Sequence, residues 1–141
     1  MRDPKVEEIK KLALFAGCRP DDLRWIAGVA DSVDVPAGRT IVHGGRTVRE
    51  FVVLVSGAAS NGNGSVSLTP GAYFGELGLV DGRPHAQTVQ TQSPARLLVF
   101  SAGAFRGMLA RIPSVGRRLL SGMVTELREA AQEPRSLRAV S

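Results

Sequence analysis

The chain is 141 residues long, with 43% hydrophobic and 22% charged residues and a formal net charge of +5 at pH 7. This is the length of one domain and the composition of an ordinary globular protein, so neither a disordered chain nor a fibrous repeat is expected. A single cysteine, Cys18, excludes an internal disulfide and a cysteine-based zinc cluster. The N-terminus carries no apolar signal segment, and the longest aliphatic or aromatic run, residues 51–55, is far shorter than the roughly 20 residues that cross a membrane. We therefore expect a cytoplasmic protein without membrane insertion.

Residues 1–30 are predicted to form two short helices that pack on the rest of the domain. The second helix opens at Pro20, with acidic residues Asp21 and Asp22 in the first turn, where the helix dipole favours negative charge. In the first helix, apolar residues recur at helical spacing until Gly17 interrupts the pattern. These residues are Val6, Ile9, Leu12, Ala13 and Phe15.

From residue 31 to residue 101 the pattern changes to short strands separated by turns. Val33 and Val35 alternate with polar residues, and residues 51–55 are all apolar. Asn61-Gly62-Asn63-Gly64 predicts a tight hairpin, because asparagine and glycine tolerate positive φ angles. Further strands are predicted at 85–91 and 95–101. About seven or eight such strands indicate a mainly β fold, either a sandwich or a barrel.

Helical spacing returns at residues 102–130. A first apolar stripe stops before Pro113, and a longer helix is predicted at 114–128. Residues 101–141 hold seven arginines and three glutamates, a balance that suits an acidic partner, nucleic acid or an anionic membrane, but also an ordinary solvated helix face. The apolar stripe of the longer helix is Val115, Leu119, Leu120, Met123, Val124 and Leu127. Residues 131–141 are polar and are expected to form a disordered tail of this single domain.

The most informative segment is the glycine-rich stretch at residues 74–89. A predicted strand runs into Gly75 and then into a helical turn that begins near Glu76. The first amides of such a turn lack internal partners and attract an anion, while Gly75 lets a ligand approach the backbone. The carboxylate of Glu76 is unsuited to a phosphate but suited to sugar hydroxyls. A ligand that carries both a phosphate and sugar hydroxyls would therefore satisfy both groups.

This segment, from Phe74-Gly75-Glu76-Leu77 to Ala86-Gln87-Thr88-Val89, resembles the phosphate-binding cassette of the cyclic-nucleotide-binding domain family. The resemblance covers residues 12–127 and continues in order and spacing through other turns and helices. They include Pro36-Ala37-Gly38, Val55-Ser56-Gly57, Pro70-Gly71 and Ala104-Phe105. The resemblance implies an eight-stranded jelly-roll β-barrel with short N-terminal helices and a C-terminal helix pair.

The resemblance also implies a ligand, cAMP or cGMP, and no metal. In the family, the turn at 75–78 receives the cyclic phosphate and the ribose, so Glu76 would bond the ribose 2′-hydroxyl and Thr88 would face the purine. The implied ligand-binding residues are Phe74, Gly75, Glu76, Leu77, Gly78, His85, Ala86, Gln87 and Thr88, with Arg83 as an additional candidate.

Two positions make this cassette degenerate. His85 stands where the family has an arginine that pairs with the phosphate, and Gln87 replaces an alanine. Arginine is always charged and offers a planar fork of donors, whereas histidine is mostly neutral at pH 7 and offers one donor. Losing a charge-assisted hydrogen bond costs about 1.5–3 kcal/mol, or about 10- to 150-fold in affinity. If His85 contacts the phosphate, cAMP is expected to bind more tightly at pH 6 than at pH 8.

The sequence therefore predicts a regulatory sensor module that binds a cyclic nucleotide, weakened by His85. The alternative is a member of the same fold that binds no nucleotide and acts through protein contacts. An enzyme is disfavoured, because two histidines and one cysteine offer no nucleophile–base spacing, and the His-x-His pair of a cupin metal site is absent. The long C-terminal helix is a candidate contact for a protein partner or for a homodimer. No helix-turn-helix follows it, so DNA binding by this chain alone is not expected.

Overall fold

A computed structural model of the chain describes residues 3–62, 64 and 66–131. The helices are α1 (Pro4–Lys10), α2 (Pro20–Val29), α3 (Glu76–Asp81), α4 (Ala102–Arg111) and α5 (Pro113–Ala131). The strands are β1 (Asp31–Val35), β2 (Thr40–Val42), β3 (Glu50–Ser56), β4 (Ala59–Asn61), β5 (Val66–Leu68), β6 (Tyr73–Phe74), β7 (Val89–Thr91) and β8 (Ala95–Ser101). The predicted disordered tail lies, except for Ala131, outside the described residues.

The eight strands form two antiparallel four-stranded sheets in jelly-roll order. One sheet has the order β1-β8-β3-β6 and the other has the order β2-β7-β4-β5. Consecutive strands thus alternate between sheets at several points, and the predicted eight-stranded jelly roll is confirmed. The two sheets face each other without joining into one continuous hydrogen-bonded barrel.

Strand β3 is apolar on both of its faces because each face packs into a different core. Successive side chains of a strand point to opposite sides. Phe51 and Val53 join the cluster between this sheet and the helices, and their neighbours Val52 and Leu54 join the cluster between the sheets. The ring of Phe51 lies 4.9 Å from that of Phe105 in α4, measured between centroids. This contact anchors the C-terminal helices to the sheet.

The N-terminal apolar stripe is not one helix. Helix α1 ends at Lys10, and a separate 3₁₀ turn spans Ala13–Phe15. Leu14 and Phe15 are buried in this turn, while Ala13 is exposed. The extended backbone at Leu12 lets the chain change direction, so that both segments cover the same core.

The predicted strand at 85–91 is wrong in its first half, since β7 begins only at Val89. The chain bends at residues 86–87 instead, and residues 85 and 88 lie outside any strand. The His85 ring nitrogen Nδ1 lies 2.6 Å from the backbone oxygen of Gln87, and the His85 carbonyl accepts a hydrogen bond from the Gly45 amide at 2.9 Å. These bonds compete with the strand ladder, which the alternation of residue types does not reveal.

The C-terminal helix pair is present, and α5 begins at Pro113, which suits the first turn of a helix. Its predicted apolar stripe is only partly a core stripe. Val115 and Leu119 are buried, whereas Leu120 is 60% exposed and Val124 is 37% exposed. The side chain of Leu127 lies outside the described part of the chain. In the described residues, no helix combines the length and the apolarity that spanning a membrane requires.

Candidate functional site

A cavity of about 560 Å³ lies where α3, the segment after it and α5 meet the strands. We call it the cassette cavity. Its lining includes every residue that the sequence predicts for the site except Thr88: Phe74, Gly75, Glu76, Leu77, Gly78, Arg83, His85, Ala86 and Gln87. The hydroxyl oxygen of Thr88 instead accepts a hydrogen bond from the amide of Gly44 at 3.1 Å.

Gly75 is required at the entrance to α3 for two physical reasons. Its φ angle is +99°, in the left-handed region that residues with a side chain rarely adopt. A Cβ atom at this position would also lie 2.3 Å from the backbone oxygen of Glu50. The strand-to-helix turn therefore fits against β3 only because it contains glycine.

Gly78, inside α3, is a second position at which the structure leaves no room for a side chain. A Cβ atom there would lie 2.4 Å from the Cγ2 atom of Val48 and 2.8 Å from the backbone oxygen of Arg83. The side chain of Val48, from the loop between β2 and β3, takes up the space of the missing methyl group. Helix α3 and that loop are thus in direct contact.

Glu76 is the most perturbed ionisable group in the cassette cavity. Its side chain is only 6% exposed, and Oε2 has no hydrogen-bond partner among the described residues. Burial raises the pKa of Glu76 to about 7; its own backbone N–H opposes this rise, and the carboxylate of Glu126 adds to it. The carboxyl group therefore keeps its proton to a higher pH than an exposed carboxyl group does.

Helix α5 covers one side of the cavity. Gly122 lets the helix pass close to Tyr73, because a Cβ atom there would lie 2.5 Å from the phenol oxygen. Glu126, one turn further along, lines the cavity. Burial raises the pKa of Tyr73, and the negative charges of Glu76 and Glu126 raise it further.

Sequence reasoning missed Tyr73 and Glu126 as lining residues. Glycine and glutamate at positions 122 and 126 share one face of a helix, which was a usable signal. The sequence does not say which part of the domain that face covers. The other lining residues that were not predicted are Asn61, Leu68, Ala72, Asp81 and Pro84.

The ionisable side chains that line the cavity are mostly acidic. The lining holds three carboxyl groups, those of Glu76, Asp81 and Glu126, and one arginine, Arg83. His85 and Tyr73 are the other titratable side chains of the described lining. The backbone amide of Arg83 is bonded to the Asp81 carboxylate at 2.8 Å, which fixes the start of the segment at 83–87. An anionic ligand thus meets a less favourable field here than a site with an additional arginine would provide.

No cluster of three or more histidine, cysteine or acidic side chains within the described ranges is arranged to hold a metal ion. The cavity volume falls within the range of about 300–1,000 Å³ that is typical of small-molecule sites.

A known protein family and a curated relative each match more than half of this chain. Residues 32–112 match the family model described as a cyclic nucleotide-binding domain. A cAMP-dependent protein kinase regulatory subunit of Aspergillus niger is 30% identical over 115 residues, which cover 78% of this chain and 28% of the relative. The chain thus matches less than a third of the length of that protein.

Solved structures share the fold. The catabolite activator protein of Thermus thermophilus superposes with a TM-score of 0.77 at 23% identity, covering 89% of this chain and 62% of the other. A structure of PKAR CBD2 with bound Sp-2Cl-cAMPS gives a TM-score of 0.74 at 22% identity, covering 92% of this chain and 94% of the other.

Proposed function

This chain belongs to the cyclic nucleotide-binding domain family, and on that basis we propose that its cassette cavity binds cAMP or a related cyclic nucleotide. The observation that carries the proposal is the buried Glu76 carboxylate, whose Oε2 atom lacks a hydrogen-bond partner among the described residues. An unpartnered buried acceptor is costly, so a ligand hydroxyl that donates to it gains more than an exposed contact would.

In the proposed complex, a ribose hydroxyl donates to Glu76 and the cyclic phosphate lies against the backbone that begins at Gly75. A hydrogen bond donated to the carboxylate favours its ionised form. Ligand binding would therefore release a proton from Glu76, whose pKa is about 7 in the free protein. Through this residue alone, affinity rises as the pH increases from 6 to 8.

His85 acts in the opposite direction. The Nδ1 atom of His85 lies 2.6 Å from the carbonyl oxygen of Gln87 and 3.3 Å from the Gln87 amide nitrogen. When Nδ1 carries the proton and donates to that carbonyl, the neutral ring presents Nε2 as an acceptor. An acceptor does not bind a phosphate oxygen, whereas the protonated ring offers a donor. The pH dependence of cAMP binding therefore tests which of the two side chains, Glu76 or His85, contacts the ligand.

Helix α5 connects the cavity to the surface in this proposal. Its inner face reaches Tyr73 and the cavity through Gly122 and Glu126, and Leu120 is exposed on the same helix. A ligand that favours one position of α5 would shift the population of conformations and change what the exposed residues can contact. We propose a protein partner or a second copy of the chain as the reader of that change.

The chain acts, in this proposal, as a non-catalytic regulatory module in the cytoplasm and does not bind DNA by itself. The alternative is that the cavity takes no nucleotide and that α5 alone mediates protein contacts. The acidic lining favours this second function, because Arg83 is the only arginine in the described lining of the cavity.

Calorimetry with cAMP and cGMP tests the two functions. His85→Arg supplies a permanent cation and is expected to tighten binding by about 10- to 150-fold relative to the parent chain. Glu76→Ala in the His85→Arg background is the control and should remove most of that affinity. If neither the parent chain nor His85→Arg binds a cyclic nucleotide, the protein-contact function replaces the one proposed.

A further inference from the structure

A second cavity, of about 580 Å³, lies on the other side of Gly75 from the cassette cavity. We call it the loop cavity, because the loop at residues 43–49 between β2 and β3 forms much of its wall. The first residues of β3 and Gly75 complete it. Its volume is again within the range of about 300–1,000 Å³ expected for a small ligand.

The charged groups of the loop cavity differ from those of the cassette cavity. Arg46 and Arg49 line it, and neither forms an ion pair with any residue in the described part of the chain. His43 adds a third nitrogen-bearing side chain, and Glu50 is the one acidic residue of the described lining. The described lining of the loop cavity therefore contains two guanidinium groups and one carboxylate, and the two guanidinium groups form no ion pair.

The loop that carries these cations is held in place at its start. The amide of Gly45 donates to the His85 carbonyl oxygen at 2.9 Å, and the amide of Arg46 donates to the His43 carbonyl oxygen at 3.3 Å. Gly44 is bonded to Thr88 as described above. Because its backbone is already ordered, the loop loses less entropy when it binds a ligand.

Four aliphatic side chains, three from strands β2 and β3 and one from the loop, also line the cavity. They are Ile41, Val42, Val48 and Val52. A ligand that fits both parts of the cavity has an anionic end for the arginines and an apolar body for the aliphatic wall. Arginine forks match phosphate oxygens bidentately, and two guanidinium groups balance a dianion better than a monoanion.

From this combination we propose that the loop cavity is a second ligand site, specific for a phosphate monoester with a small planar or apolar body. A terminal phosphate carries a charge of about −1.5 to −2 at pH 7, whereas a cyclic phosphodiester carries about −1. The loop cavity should therefore prefer a nucleoside 5′-monophosphate to a cyclic nucleotide. This site does not depend on whether the cassette cavity binds cAMP.

Amide NMR titration of the parent chain with adenosine 5′-monophosphate tests the proposal. We expect saturable shifts at Gly45, Arg46 and Thr47 and weaker binding of inorganic phosphate, which lacks the apolar body. Adenosine, which lacks the phosphate, should produce no saturable shift at these amides. The double substitution Arg46→Gln/Arg49→Gln should weaken binding of the monophosphate by at least about tenfold.

The matched control is Arg83→Gln, which removes an arginine from the cassette cavity and should leave monophosphate binding at the loop unchanged. A urea unfolding curve shows whether the double variant is folded. Three outcomes would overturn the proposal: no saturable shift up to about 10 mM ligand, shifts confined to Leu77 and Ala86, or equal affinity in the double variant. Displacement of the monophosphate by an equal concentration of cAMP would likewise contradict the proposed preference for a monoester.

Discussion

The two cavities on either side of Gly75 have almost the same volume, about 560 Å³ and about 580 Å³, but different charge. The cassette cavity places a buried carboxylate, Glu76, opposite a second one, Glu126. The loop cavity places Arg46 and Arg49 beside a single acidic residue. The cassette cavity, which the sequence motif predicts as the phosphate site, is therefore the more acidic of the two cavities. The two arginines of the loop cavity lie in a segment without a recognisable motif.

In this chain the cassette motif specifies backbone geometry more firmly than it specifies charge. The turn at Gly75 depends on a positive φ angle and a close approach to β3, which few sequences satisfy. The charge of the cavity depends on side chains from three separate parts of the chain, namely α3, α5 and the segment at 83–87.

The largest expected effect comes from Gly75→Ala, because this residue is part of both walls. The new methyl group meets the Glu50 carbonyl oxygen in a backbone conformation that already disfavours a side chain. We expect a loss of about 3–5 kcal/mol in the free energy of unfolding. Ligand binding at both cavities should weaken together. Urea denaturation and calorimetry measure the two effects.

Gly82→Ala is the matched control. Gly82 ends α3 with a φ angle of +74°, but a Cβ atom there would meet no atom within 4 Å. The expected cost is only about 1 kcal/mol, from the backbone conformation alone. Equal destabilisation by the two substitutions would show that the contact with β3 is unimportant.

The next effect concerns the ionisation of Glu76. Its pKa is raised in the folded chain to about 7 from an ordinary value of 4.5, so the folded state holds this proton more tightly than the unfolded state does. The contribution of the Glu76 carboxyl group to the free energy of unfolding is fully present below pH 4.5 and is lost as the pH rises through 7. The loss by pH 8 is roughly 3 kcal/mol.

Glu76→Gln removes that titration. The variant is expected to be more stable than the parent chain at pH 8, with a much smaller difference at pH 5. Urea unfolding of both proteins at the two pH values measures the change. Parallel pH profiles for the two proteins would mean that the carboxyl group titrates normally and that its burial is relieved in solution.

The smallest effect is expected for Glu126→Gln on α5. Removing this charge lowers the pKa of Glu76 and weakens the repulsion of an anionic ligand in the cassette cavity. Because Glu126 is exposed to solvent, we expect only about a two- to fivefold gain in cAMP affinity at pH 7. Calorimetry measures it.

Glu129→Gln, a substitution of an exposed glutamate on the same helix outside the cavity lining, controls for the change in net charge. It should leave the affinity within error of the parent chain. A loss of affinity in Glu126→Gln would contradict the repulsion and would instead indicate that the carboxylate accepts a hydrogen bond from the ligand.

Local patterns predicted much of the fold. The strand at 95–101 and the helical turn at Glu76 lie where the sequence places them, because alternation and a glycine at a positive φ angle are local properties. The strand predicted from 85 is wrong, since side-chain and backbone bonds of His85 compete with the ladder. The exposure of Leu120 was also unforeseen, because helical spacing does not show how far along α5 the core extends.

The residue pattern predicted a mainly β fold, and the family resemblance predicted the jelly roll and the cassette turn. The cassette segment also predicted nine of the residues that line its cavity, because these nine lie close together along the chain. Only the tertiary structure placed Tyr73 and Glu126 beside Glu76, and Val48 against Gly78. The tertiary structure also buries Glu76, and this burial raises its pKa to about 7. These contacts join segments distant in sequence, and the charge and solvation of a cavity depend on all the segments that enclose it.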